Sequence, residues 1–489
     1  MEWLSDFLLH RGNDLSTYFL PNAYFFKRTF LQYQIPLWNP LQLGGIPYLA
    51  DPQNYLFYPP NYIFLLLPIE PAFLALIFGH LLWGALGMRK LTHSWFSSII
   101  FVFSPMMMSH LEAGHYTMLV AFSWLPWFLL AALRFVKKPT LKLCGLLAAV
   151  SWLLYINYIN IAYYALLFLG SYTIFYFFTH RQNFPIQKYI IHNSLYIILF
   201  LILISPNLLA QLEFAPHSTR SLITFNDVAQ PIWSFKLFFQ NLFFPFFLNS
   251  DQLSTERVLY PGLIVLVLAI YGFKQKPHKF FAQWIIFSLL FALGSRIPFF
   301  IFFYKFFPLM KFMRIPPRIW IISILFIALF AGKGLQKLSK KFSTGIIVLC
   351  FLDILLIDYK IFSRPIIKSD VPESFYQLLV EDNSFFRVYC TTGCFSLQRL
   401  GELNIPTIGG NNPIQNKNIV DKLAQASGYV YDKYIPILPP YEVFNRQPQP
   451  NAKLMKELQV KYIASPYPLN DPNLELIART AQYLLYTVQ

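Results

Sequence analysis

Acid is scarce in this chain. Its 489 residues hold 23 Asp and Glu against 39 Lys and Arg, and charged residues of both signs make up only 13% of the whole. Cysteine is scarce too, and the four present form no metal-ligand pattern. Cys144 and Cys350 fall in apolar runs and read as inert packed thiols, whereas the spacing of Cys390 and Cys394 permits a disulfide without demanding one. No cleavable signal peptide is visible, since the N-terminus lacks an apolar stretch followed by a small-residue cleavage site. Also missing are internal repeats and paired, Gly/Pro-broken mid-membrane segments, which mark many transport sites.

Apolar residue is abundant instead, at 56%. Apolar runs of about 15–20 residues recur from Pro71 to Phe362, each long enough to cross, or nearly cross, a hydrocarbon core of about 30 Å. They lack the period-2 alternation of barrel strands, so the chain is predicted to be a polytopic α-helical membrane protein. About ten spans are expected, near 70–88, 95–111, 117–135, 141–157, 160–178, 189–206, 259–273, 280–294, 317–335 and 344–360. The net charge of +16 sits in this half, concentrated in short loops after alternate spans: Arg89-Lys90, Arg134 to Lys142, Arg181 with Lys188, Lys274 to Lys279, and Lys333 to Lys341. That is the positive-inside pattern rather than a nucleic-acid footprint. It puts both termini outside the cytoplasm and yields three segments: a first extracytoplasmic loop with short helices (1–68), a transmembrane helical domain (69–362) with an outer loop at 207–258, and an extracytoplasmic α/β domain (363–489).

The parity maps Glu2, Asp6, Asp14, Asp51, Glu70, Glu112, Glu213, Asp227, Asp251 and Glu256 outside, and leaves the cytoplasmic loops without acid. Longer outer loops account for most of this. An outward-facing active surface accounts better for Glu112 and Glu213 at span ends. An outer N-terminal loop with no span before it must either cross the membrane unaided or, as is expected here, follow a first span upstream of Met1. The α/β segment, which stops at Gln489 in a predicted strand, is expected to be incomplete.

The first loop is too rich in Pro, Gly, Asn and Gln for a span and too aromatic for a solvated tail. Asp14, ahead of a predicted helix through Lys27, reads either as an N-cap or as a general base. Asp51 precedes a proline as turn aspartates do. With Trp38, Asn39, Gln53 and Tyr58 it could equally bind a sugar, aromatic faces stacking on the ring. Glu112 and His115 lie in the short link His110-Leu-Glu-Ala-Gly-His115. That spacing resembles a metal motif, but the glycine and tight turn spoil a regular helical face, so contact with a bound head group is the preferred reading and no metal ligands are assigned. Glu213 and Arg220 open the loop at 207–258, in which Trp233 to Leu248 suits an interfacial helix. Arg314 and Arg318 lie at the outer mouth of a span, where they either snorkel or recognise phosphate. Asp353 falls within the last apolar run and is not assigned a catalytic role. Phe385–Cys390, Val460–Ala464 and two stretches within Leu474–Val488 read as strands, and Ile414–Ala426 as a helix.

The ordered set Asp14-x3-Tyr-x2-Pro21, Pro36-Leu-Trp-Asn-Pro40, Gly45-Ile-Pro47, Asp51-Pro-Gln53 with Phe57-Tyr-Pro59, Gly114-His115, Trp124-Leu-Pro126, Gln211-x-Glu213 to Ser218-x-Arg220, Tyr260-Pro-Gly262, Arg314-x-Pro-x-Arg318, Gly409-Gly-Asn-Asn-Pro413 and Leu458-Gln-Val-Lys-Tyr462 resembles the YfhO-type bacterial membrane proteins. That family is placed with the lipid-sugar-dependent glycosyltransferases of the C fold type. The resemblance implies a glycosyltransferase C-type fold and transfer of a sugar from a polyprenyl-phosphate carrier to a glycan, lipid or protein acceptor of the cell envelope. It makes Asp14 the expected base. Two departures stand out: the family's first helix is missing and the extracellular region is shorter. A divalent metal is compatible with such a role, but no ligand motif supports one, and the cofactor is not specified. The rival readings are a transporter or flippase of a lipid-linked glycan, and a non-catalytic envelope assembly protein.

Overall fold

The computed structural model describes residues 2–489 apart from 182–184, 230–233, 250–251, 276–277, 365–369, 433–435, 441–442 and 444, with side chains from Ser5 onward. Trp233, Asp251 and the side chain of Glu2 therefore lie outside the described residues. Two compact units emerge. A helical unit comprises 75–206 and 224–365, and an α/β unit joins 1–74, 207–223 and 366–489. The first loop and the C-terminal segment, separate domains in the sequence reading, thus fold together, and the outer loop at 207–258 divides between the units.

Every predicted span coincides with a helix or helix pair. Among the described residues, five helices are long and apolar enough to cross a membrane: Ile69–Thr92, Tyr116–Lys137, Ile159–Thr179, Ile186–His217 and Pro316–Leu335. Leu141–Asn157, Leu263–Gln275 and Lys279–Ala292 are shorter apolar helices, and Lys340–Phe362 is a further long one. Local signals set several ends. Thr140 caps the helix Leu141–Asn157 by accepting from the Leu143 amide. The run predicted at 95–111 is broken into Trp95–Val102 and Pro105–Glu112. Pro105 forces Ser104 into an extended conformation (φ −62°, ψ 140°) and starts a new helix at its own position. The expected interfacial segment forms the helix Phe235–Phe243, which buries Phe238 and Leu242 and exposes Phe235 and Phe239.

Helices Leu263–Gln275 and Trp320–Leu335 approach until their backbones touch, which only glycine permits. A Cβ on Gly272 would lie 2.0 Å from the Phe330 carbonyl oxygen, and one on Gly334 would lie 2.2 Å from that of Leu268. In a membrane, where apolar burial adds little between helices, such close van der Waals contact is a main source of association.

Eight strands are described in the α/β unit: β1 (Trp38–Asn39), β2 (Ile46–Pro47), β3 (Arg387–Cys390), β4 (Gly410–Asn411), β5 (Ile437–Leu438), β6 (Val460–Ser465), β7 (Leu474–Arg479) and β8 (Leu484–Val488). The main sheet runs β3-β6-β8-β7, with β3 parallel to β6 and the other neighbours antiparallel. Its side chains alternate between two cores. Tyr389, Ile463 and Tyr486 pack with Val420, Leu423 and Met455. Val388, Ala464 and Leu485 pack with Phe375, Leu379 and Leu400. Cys390 and Cys394, joined in a disulfide, belong to the second core. The first loop is stitched to this domain by Leu43 N–H on the Gly409 carbonyl and Thr407 N–H on that of Leu41, both at 2.9 Å, and by Arg28 on the carbonyl of Glu402 at 2.7 Å.

Gly334→Leu is expected to cost at least the roughly 1–3 kcal/mol typical of overpacking, because backbone atoms cannot yield. Thermal unfolding in detergent should show a lowered midpoint, whereas Gly345→Leu, with open space around its Cβ, should leave it unchanged.

Candidate active site

In the α/β unit the residues around Asp14 form a π-turn, Leu15–Phe19, that runs into the helix Leu20–Leu31. Asp14 occupies the N-cap position but makes no capping bond. Asn13 does that work: its Oδ1 accepts from the amides of Leu15 (3.1 Å) and Ser16 (3.4 Å). The N-cap reading of Asp14 is corrected accordingly. Its half-buried carboxylate instead accepts from the Asn411 amide at 3.1 Å, and the same NH2 group donates to Thr17 Oγ1 at 2.8 Å. One-turn π segments inside helices are frequent at functional sites.

Asp51 is fully buried. Its carboxylate accepts from Tyr18 OH at 2.5 Å, the Gln53 amide at 2.9 Å and Asn412 Nδ2 at 2.8 Å. Burial holds its pKa above the usual carboxylate range, against the three donors. In this state Asp51 is a structural anchor and touches no surface from which a sugar could be bound. Asn39 is likewise buried, donating to Asn22 Oδ1 at 3.0 Å, and Tyr58 is buried. Gln53 is half-buried. Of the proposed sugar platform, Trp38, at 53% exposure, presents an aromatic ring to the surface.

The loop Gly409–Pro413 gathers these parts. Asn411 holds Asp14, Asn412 holds Asp51, and the Pro413 carbonyl accepts from Arg220 Nε at 2.6 Å. Glu213 is exposed at the end of the helix Ile186–Phe214. Beside the π-turn lies a cleft of about 280 Å³ lined by Asp6, His10, Ser16, Thr17, Ser396 and Gln398, among others. His10 Nε2 stands 3.1 Å from the Glu70 carboxylate, to which Ser5 Oγ also donates. Chiefly through its hydrogen bond to Glu70, and against a smaller effect of burial, the His10 pKa is raised above 6.5.

In the helical unit Arg318 forms a forked pair with Glu256, its Nε lying 3.1 Å from both carboxylate oxygens, and donates to Tyr158 OH. Burial works to raise the Glu256 carboxyl, but Arg318, by charge and hydrogen bond, and the neighbouring His110 and His115 together hold it well below its usual range, at about 2. Arg314 is half-buried, and its carbonyl accepts from Asn160 Nδ2 at 2.9 Å. Between the arginines Ile315 sits at φ +63°, ψ +72°. A β-branched residue there is strained, and such strain gathers at functional sites. Glu112 pairs with Arg364 at 2.7 Å. His115 lies with its Nδ1 2.9 Å from Nδ1 of His110.

The glycine counted against a metal motif proves to build this contact. Gly114 adopts φ +76°. Its N–H bonds the Leu111 carbonyl, and the His115 N–H bonds that of His110, a Schellman ending that folds His115 back over His110. His110, His115 and Glu256 together form a cluster whose ligand atoms all lie within 4.8 Å of one another. Asn411, Asn412, Thr17, His110, Glu256 and Arg364 were absent from the predicted site. The Gly409–Pro413 motif was a usable signal for the two asparagines. Nothing in the sequence ties Glu256 to residues nearly 150 positions away.

Neither models of known families nor curated sequences match the chain. Solved structures do. ArnT from Cupriavidus metallidurans bound to undecaprenyl phosphate is similar over 99% of this chain and 96% of its own, with a TM-score of 0.55 at 10% identity. Its apo state gives the same values. An oligosaccharyltransferase from Archaeoglobus fulgidus, tethered with an acceptor peptide, aligns over 94% of this chain and 65% of its own, with a TM-score of 0.45 at 10% identity. The fold is therefore that of the C-type glycosyltransferases, in a multi-pass membrane protein.

Asn412→Ala removes one of three donors to a buried carboxylate and is expected to cost about 1–3 kcal/mol, read as a lowered unfolding midpoint. For His10 the raised pKa means that the stability gained from Glu70 is fully present below pH 6.5 and lost as pH climbs through the raised value. Hydrogen exchange in residues 2–12 should accelerate over that window in the native protein, and His10→Gln should flatten the pH dependence.

Proposed function

We propose that the chain is a membrane glycosyltransferase that moves a sugar from a polyprenyl-phosphate carrier to a cell-envelope acceptor at the outer face, as a YfhO-type member of the C-fold class. The observation that carries this is the fold, shared along 99% of the chain with an enzyme crystallised on undecaprenyl phosphate. The α/β unit supports the outward orientation: the three segments assigned outside by charge parity supply it, and one compact unit lies on one side of a membrane. In the helical unit an apolar groove of about 480 Å³ runs between helices Ile159–Thr179, Lys279–Ala292 and Phe299–Phe306, suited to a polyprenyl tail.

Asp14 is assigned as general base. It takes the proton from an acceptor hydroxyl, whose oxygen attacks the anomeric carbon. The bond from that carbon to the phosphate oxygen breaks, and the polyprenyl phosphate departs with the electron pair. Arg314 and Arg318 in the helical unit, and Arg220 in the α/β unit, are the candidate phosphate ligands. Arg318 is held by Glu256, so phosphate would have to share its guanidinium. Trp38 is the candidate stacking platform. The lipid bilayer and the lipid-linked donor are the partners this requires.

Asp14→Asn is expected to reduce transfer by about 10²–10⁴-fold with membrane expression unchanged. Asn411→Ala, which only releases the base, should reduce kcat less and leave KM for donor unaffected. Full activity in Asp14→Asn overturns the assignment. Translocation of a labelled lipid-linked sugar across vesicles without acceptor glycosylation would favour a flippase.

A further inference from the structure

We propose that His110, His115 and Glu256 form a zinc site. One ligand atom from each lies within 4.8 Å of the other two. Tetrahedral zinc, with N and O donors at about 2.0–2.2 Å, needs them roughly 3.3 Å apart, a change within reach of small side-chain rotations. Two imidazoles and a carboxylate are a borderline N/O set that zinc takes well, with three protein donors leaving the fourth position to water or another oxygen.

The surroundings hold these groups in place before any ion arrives. His110 is 1% exposed and fixed within the helix Pro105–Glu112. The Schellman turn at Gly114 fixes His115 against it. Glu256 lies on the short turn Thr255–Arg257, which is clamped from two sides. Arg364 donates to the Leu253 carbonyl and Thr255 Oγ1, and Ser109 Oγ to the Thr255 carbonyl. Arg318 orients the Glu256 carboxylate while using part of its acceptor capacity. Partners of this kind orient the ligands of metal sites and tune their affinity.

The competing account is a metal-free network in which the two imidazoles share a proton across 2.9 Å. The two separate on metal content. Full-length protein in detergent is stripped with chelator, dialysed against dilute zinc and assayed by elemental analysis. The site predicts one equivalent retained, a tenfold or greater loss of affinity in His115→Ala and Glu256→Gln, and none in His93→Ala, whose side chain is exposed. Cobalt loading of the unsubstituted protein, which does not depend on any variant folding, should give the intense visible absorption of tetrahedral Co2+. No retained zinc, or retention unaffected by His115→Ala, or a cobalt spectrum of octahedral type, overturns the site. Because no sugar transfer is measured, that failure would leave the glycosyltransferase reading standing.

Discussion

A buried carboxylate has to be satisfied where it lies, and the α/β unit is organised around one such demand. Asp51 is withdrawn from water entirely, which for an ionised group costs several kcal/mol unless its oxygens are paired. Its donors come from three places: Tyr18 in the π-turn, Gln53 in its own turn, and Asn412 in a loop 361 residues downstream. Hydrogen bonds to charged groups are each worth about 1.5–3 kcal/mol, so the arrangement holds the first loop and the C-terminal domain in one register. Asp14 and Asn411 are neighbours as a consequence. Each lies near a residue already fixed by Asp51, Asp14 four before Tyr18 and Asn411 next to Asn412. The position of the proposed base is therefore set by an acid that does not itself reach the surface.

The helical unit solves the same problem with cations. Glu256 is paired with Arg318 and Glu112 with Arg364, and breaking either pair would strand a charge in poorly solvated surroundings. The pairs also fix backbone. Arg364 draws the segment 253–255 onto the end of the helix Pro105–Glu112, and Arg318 holds the carboxylate that follows. What looks from the sequence like scattered acid near span ends is a set of clasps on irregular loops, whose backbones have few partners of their own.

The spans were legible because length and apolar content answer to bilayer thickness alone, and caps such as Thr140 mark ends locally. Strands β3, β6, β7 and β8 were legible from alternation, which the two cores on either face of the sheet explain. The kink at Ser104-Pro105 was written in the proline, although the run around it read as one span. Contacts at long separation were hidden. No periodicity links Asp51 to Asn412, or Glu256 to His110. The metal spacing at His110 and His115 was read against a helical face, where Gly114 is a defect. In space Gly114 is what reverses the chain and brings the rings together. The Asx pattern also misled, because Asn13 and Asp14 compete for one cap and only the folded backbone shows which takes it.

That competition bears on the proposal that Asp14 is the base. An aspartate used as a cap gives its lone pairs to backbone amides, which favours the ionised form and lowers proton affinity. Asn13 takes the cap, and the Asn411 amide donates to the Asp14 carboxylate. Asp51 also has neutral donors, but burial removes it from any acceptor. Half-burial separates the two: Asp14 is held well enough to be aimed and open enough to meet a hydroxyl. In a chain so short of acid, the carboxylate proposed for proton transfer is distinguished from Asp51 by its burial more than by its own position in a motif.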